Sequence, residues 1–162
     1  MTYTVMLFVT RSANLTSEEF KDHYENTHIP LAYSLTADSW PTQFKRQYLA
    51  RINRKGFGTP QNPDRPLLTL RGEMLEVDCD CIAELSFPDE RRFQGFYSKI
   101  YEKEIAAILA RDEEKFLMPG MTKVVVVGET CSTNANGCTT SITSCVPRND
   151  TSDSEGSMSE QS

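Results

Sequence analysis

Leu15-Thr-Ser-Glu-Glu-Phe-Lys-Asp-His-Tyr-Glu-Asn-Thr-His-Ile-Pro-Leu31 holds both histidines of the chain. Thr16 is an N-cap residue, and Glu19 three positions later completes a capping box. The spacing of Phe20, Tyr24, Thr27 and Leu31 predicts an amphipathic helix from Ser17 to about Leu35. Pro30 disfavours helical angles at Ile29, so the helix is expected to end or pause near His28. His28 would then stand beside a break in regular backbone, able to face a cleft. Histidine alone has an unperturbed pKa, about 6.5, that suits proton exchange near neutral pH.

Outward from that helix the elements alternate. A strand apolar on both faces, Tyr3 to Val9, precedes it, and a strand from about Gln43 to Ile52 follows. A long polar loop spans Asn53 to Asp78, with Gly56, Gly58, Pro60, Pro63 and Pro66. The third strand, Cys79 to Phe87, sets Cys79, Cys81, Ala83, Leu85 and Phe87 on one face. Its cysteines read as small core residues. A helix after Pro88-Asp89 carries Phe93, Phe96, Tyr97 and Ile100. A further helical stretch carries Ile105, Ile108, Leu109 and Phe116 and ends at Met118-Pro119-Gly120. The last strand runs from Met121 to Glu129.

This order predicts an α+β fold: a ferredoxin-like, four-stranded antiparallel sheet with helices on one face. Strands apolar on both faces are normally covered on both. A second copy laid sheet to sheet would supply the cover, so a two-fold homodimer is expected. The competing expectation is a monomer covered by the long loop. The ordered domain is placed at residues 1–130. From Cys131 to Ser162 the chain is rich in Ser, Thr, Asn and Gly, and a disordered tail is expected there. Cys131, Cys138 and Cys145 read as loose thiols, since zinc sites want tighter pairs.

Composition excludes several functions. The chain carries 23 acidic and 17 basic side chains, a net charge of −6. That argues against a nucleic-acid surface, which needs a basic excess. The local run Lys45, Arg46, Arg51, Arg54 and Lys55 reads as a solvated strand and loop. The longest valine run, Val124 to Val127, is far short of the roughly 20 residues that span a bilayer. No basic leader precedes the first strand, so a cytoplasmic, reducing location and free thiols are expected. Gly56-Phe-Gly58 opens no helix, so no nucleotide cofactor is expected.

The Glu-Phe-x-x-His-Tyr-x-x-x-His-x-Pro-Leu core of the first helix resembles the EthD-like family of the dimeric α/β-barrel superfamily. Asp80-Cys-Ile-Ala-Glu-Leu-Ser-Phe87 and Ala110-Arg-Asp-Glu-Glu-Lys-Phe116 look like that family too. The likeness is closest to its fungal branch, assigned to aromatic polyketide pathways. It implies a dimeric α/β barrel and a cofactor-independent decarboxylase for an anthrone- or anthraquinone-type carboxylic acid. A cyclase or dehydratase using the same residues, or a non-catalytic carrier of an aromatic metabolite, are the rival expectations.

His28 is the first catalytic candidate, as a group that polarises an oxygen or delivers a proton to carbon. Its alternative role is a helix C-terminal cap. Asp112 falls inside the apolar stripe of its helix, where a carboxylate needs a partner. It either orients His28 or bonds to nearby backbone. His23 lies five residues before His28. At roughly 100° per residue the two rings point about 140° apart, so no shared metal face and no metal are expected. A buried, hydrogen-bonded role is its alternative. Tyr24, Phe20, Phe8, Phe93, Phe96 and Tyr97 are the expected walls of a pocket for a flat aromatic substrate.

Overall fold

The structure, a computed structural model, describes residues 2–52, 67–72 and 79–143. Four strands, β1 (Tyr3–Val9), β2 (Gln43–Tyr48), β3 (Cys81–Phe87) and β4 (Lys123–Val127), form one antiparallel sheet in the order β2-β3-β1-β4. Helices α1 (Ser17–His23) and α2 (Ile29–Thr36) connect β1 to β2. Helices α3 (Glu90–Ile100) and α4 (Lys103–Phe116) connect β3 to β4. This is the expected ferredoxin-like arrangement.

Side chains alternate across a strand, so one face of β1 and β3 receives the helices. Two buried clusters lie on that face. Val9 and Cys81 pack with Phe20, Tyr24 and Phe116 at one end, and Tyr3, Val5, Leu85 and Phe87 with Phe93 and Phe96 at the other. Phe20, Phe87 and Phe116 are essentially fully buried, each worth about 1.5–3 kcal/mol relative to exposure.

The first helix carries the predicted capping box and runs, as its spacing predicted, from Ser17 to the region of Leu35. The Glu19 amide donates to Thr16 Oγ1 at 3.1 Å, and the Thr16 amide donates to Glu19 Oε2 at 2.8 Å. The chain then runs through a π-helical turn, Tyr24–His28, directly into α2. Ile29 keeps helical angles, and its amide reaches Tyr24 O, five residues back. Pro30 sits in the first turn of α2, where a missing N–H is tolerated. The expected stop at His28 is thus a widened turn. The extra residue also shifts the buried face, so Thr27 is exposed instead of lying in the apolar stripe.

Other boundaries differ from expectation. β2 ends at Tyr48, and β3 starts at Cys81, although Cys79 is buried as anticipated. β4 is an edge strand, and Val124, Val125 and Val126 are 55, 46 and 46 % exposed. The disordered tail expected from Cys131 is corrected over residues 131–143. There β5 (Glu129–Thr133) and β6 (Thr139–Thr143) pair as a two-stranded ribbon. Asn134 makes this turn possible: its Oδ1 accepts from the amides of Asn136 and Cys138, and Gly137 takes a φ of 78°. Residues 144–162, including Cys145, and most of the long polar loop lie outside the described residues. Among the described residues no helix is long and apolar enough to cross a membrane.

Candidate active site

The π-turn decides the site. In an α-helix, residues five apart point in different directions. A turn closed by a bond spanning five residues stacks residue i+5 over residue i. His23 and His28 therefore face the same way, against the prediction that they diverge. Both rings lie on Phe116 of α4, with centroids 4.8 and 5.0 Å from it.

Between them stands Asp112, 3 % exposed and inside the α4 stripe as its spacing predicted. Asp112 Oδ1 is 3.0 Å from His23 Nε2, and Asp112 Oδ2 is 3.0 Å from His28 Nδ1. Lys115 Nζ approaches Oδ1 at 3.5 Å from the solvent side. Burial pushes the Asp112 carboxyl up, but hydrogen bonds from His28 and His23 and their charges hold it below the usual carboxylate range. An ionised carboxylate only accepts hydrogen bonds. His28 therefore carries its proton on Nδ1 and leaves Nε2 as a free lone pair. His23 carries its own on Nε2. Burial lowers the His28 pKa, outweighing the opposing pull of Asp112, so its neutral form dominates near neutral pH. Among the described residues no group of three or more His, Cys, Asp or Glu is placed to hold a metal ion.

A second network adjoins the first. Glu25, in the π-turn, accepts from Arg46 Nε and Nη2 at 2.7 and 2.8 Å and from the Tyr48 hydroxyl at 2.6 Å. Arg46 holds the Glu25 carboxyl low despite partial burial. Tyr48 also sets an edge against Phe20 and Tyr24. Sequence reading missed this network because it took Arg46 as part of a solvated run. The available signal was the two-residue spacing of Phe44, Arg46 and Tyr48, which puts all three on the helix-bearing face. Arg51 of the same run is buried on Asp80 at 2.8 Å, while Lys45 is exposed and pairs with Glu84. Arg54 and Lys55 lie outside the described residues.

The expected aromatic walls divide. Phe20 and Tyr24 are at the site, within the cluster that contains Phe116. Phe93 and Phe96 belong to the other cluster, around Phe87, and Tyr97 is 47 % exposed beside Tyr101. Phe8 alternates with Leu7 and Val9 and so lies on the face of the sheet opposite the helices. These four are not beside the imidazoles, because aromatic spacing marks a packed face without saying which end of the core it covers. Cys81 lies in the site cluster, but burial pushes its thiol up to about 12, so it is no thiolate nucleophile.

The family model of the EthD domain matches residues 12–120. The chain belongs to the EthD family. The matched span of this EthD domain contains His23, His28 and Asp112, and ends before β4. Among solved structures the chain is similar to an ethyl tert-butyl ether D (EthD) family protein from Bacillus halodurans C-125. Identity is 19 %, with 78 % of this chain and 97 % of that one covered and a TM-score of 0.43. No curated protein matches the sequence.

Proposed function

We propose that this EthD domain is a cofactor-independent lyase that removes carbon dioxide from an aromatic polyketide carboxylic acid of the anthrone or anthraquinone type. The observation that carries the proposal is the carboxylate of Asp112 bridging His23 and His28 at 3.0 Å each. The arrangement provides an oriented, neutral base without a metal. His28 Nε2 takes the proton of the substrate's carboxylic acid. The carbon–carbon bond then breaks, carbon dioxide leaves, and the electron pair passes into the ring system. The imidazolium of His28 returns the same proton to carbon. The sum is acid to carbon dioxide plus the hydrogen-substituted ring, with no oxidant or cofactor consumed. Acid–base help of this kind typically gives 10²–10⁴-fold. The substrate class is supported by the resemblance of His28-Ile-Pro-Leu31 and its helix to the fungal branch of the family.

Val125 of β4, half exposed and paired with Met6, together with Met6 and Phe8 on the sheet face without helices, favours a second copy as the cover for that face. Sedimentation of the purified chain tests the homodimer.

Incubation of the full chain with a panel of polycyclic aromatic acids tests the reaction. The expected result is carbon dioxide release with a product lighter by that mass, abolished in His28→Ala. Turnover that survives His28→Ala overturns the role of the imidazole. A product that retains its carboxyl favours cyclisation or dehydration by the same residues.

A further inference from the structure

The tyrosines of this chain differ in what their hydroxyls do. Tyr48 donates to Glu25, and Tyr97 and Tyr101 lie ring to ring at the surface, 47 and 64 % exposed. Tyr24 is unlike them. It is 4 % exposed and enclosed by Phe20, Phe116, Tyr48 and His28, with ring centroids 5.8, 5.4, 6.5 and 5.6 Å away. Yet no hydrogen bond to its hydroxyl is found among the described residues, and that oxygen is not among the polar atoms wholly shut off from solvent, so the ring is enclosed while its hydroxyl keeps an opening. A hydroxyl held by an enclosed ring but without a protein partner is left to bond solvent or a ligand.

Its surroundings narrow the choice. Tyr24 opens the π-turn and His28 closes it, so the same five residues hold both rings over Phe116. Of the neighbouring cations, Arg46 is already engaged by both oxygens of Glu25, and Lys115 lies 3.5 Å from Asp112. A negative charge forming beside His28 would therefore find a phenol donor before a free cation. Burial keeps that phenol protonated well beyond the neutral range, so it can donate without competing for the proton that His28 handles.

We infer that the Tyr24 hydroxyl is a catalytic hydrogen-bond donor, placed for the oxygen on which charge collects as the substrate of His28 loses carbon dioxide. The inference rests on the decarboxylase reading and narrows its substrate. The acid must carry a carbonyl, or the keto form of a ring hydroxyl, β to the carboxyl. The electrons of the broken carbon–carbon bond then form a carbon–carbon double bond, and the carbonyl pair moves to oxygen. Tyr24 donates to that oxyanion, and the carbonyl re-forms when His28 returns the proton to carbon. Preorganised donors of this kind are worth about 10²–10³ in kcat.

Tyr24→Phe is the test, since it keeps the ring and removes only the oxygen. Substituted 2-naphthols are the probe, because their oxyanions imitate the enolate and absorb differently from the neutral forms. The wild-type chain is expected to bind the naphtholate form at least about tenfold more tightly than Tyr24→Phe. Equal affinities, or a wild-type chain that binds no naphthol, overturn the inference. On a turned-over acid, Tyr24→Phe should lower kcat by the factor above and leave KM nearly unchanged. A loss confined to KM overturns it as well. The naphthol measurement needs no turnover, whereas the decarboxylase reading stands or falls on carbon dioxide release and His28→Ala. The two can therefore fail separately.

Discussion

Two aspartates are almost fully withdrawn from water, and each is gripped by two planar nitrogen-bearing side chains, with the exposed Lys115 more loosely beside the second. Asp80, 4 % exposed, meets Arg11 Nε at 3.2 Å and Arg51 Nε at 2.8 Å, and accepts from the Arg11 amide at 2.9 Å. Asp112, 3 % exposed, meets His23 and His28 at 3.0 Å each. The geometry is alike and the consequence is opposite. A guanidinium keeps its proton at every accessible pH, so the Asp80 cluster is a staple. It ties the start of β3 to the chain leaving β1 and the chain leaving β2. An imidazole can exchange its proton near neutrality, so under the proposed reaction the same clamp around Asp112 would handle a proton. The partner's chemistry, more than the carboxylate's burial, separates structure from function here.

Several measurements would break or sharpen that contrast. His28→Gln is expected to lower turnover about 10²–10⁴-fold with little change in the urea midpoint, since general acid–base help is what it removes. Asp80→Ala should do the reverse. Leaving two arginines buried without their carboxylate costs about 3–5 kcal/mol, seen as a large fall in the unfolding midpoint. If Asp80→Ala unfolds no more readily than wild type, the staple is not one.

Asp112→Asn should cost about 10²-fold or more in kcat, because an amide supports the wrong hydrogen-bond pattern at His28. Its effect on stability should stay below that of Asp80→Ala. The pH dependence follows with a definite sign. The folded His28 pKa lies below its ordinary value of 6.5, so the unfolded chain takes up that proton first. This contribution to stability is complete above about pH 6.5 and is lost as pH falls through the folded value. Activity that needs neutral His28 should fall along the same acidic limb, read from kcat/KM against pH. A limb centred above 6.5 contradicts the burial of the ring. The smallest effect belongs to Thr16→Ala, about 1 kcal/mol from the lost cap, measured by thermal melting.

Much of this was readable in the sequence, for local reasons. Thr16 and Glu19 are three apart, and that spacing alone writes a capping box. The two-residue alternation of Cys81, Ala83, Leu85 and Phe87 gave the buried face of β3. Asp112 was visible as a carboxylate inside an apolar stripe, because helical periodicity is a local property. The joint action of His23 and His28 was not visible. Their five-residue spacing separates them on an α-helix, and only the widened turn before Pro30 brings them together. Arg46 and Arg51 looked like ordinary surface cations because Glu25 and Asp80, their partners, are 21 and 29 positions away along the chain. The β5–β6 ribbon escaped notice because its polar composition resembles that of an unstructured tail, although the Asn134–Gly137 turn is specific.

By itself, then, the sequence settled the helices and strands of the four-stranded domain and most of the faces they bury, since periods of two and of about 3.6 residues are written along the chain. It also carried the EthD likeness in the helix that bears both imidazoles. Tertiary structure alone decided that one carboxylate takes both rings, that Arg51 is buried, and that Phe8 lies across the sheet from the site. Those outcomes depend on which distant groups meet once the layers pack. A pairing that spans eighty or more residues leaves no local mark on either partner.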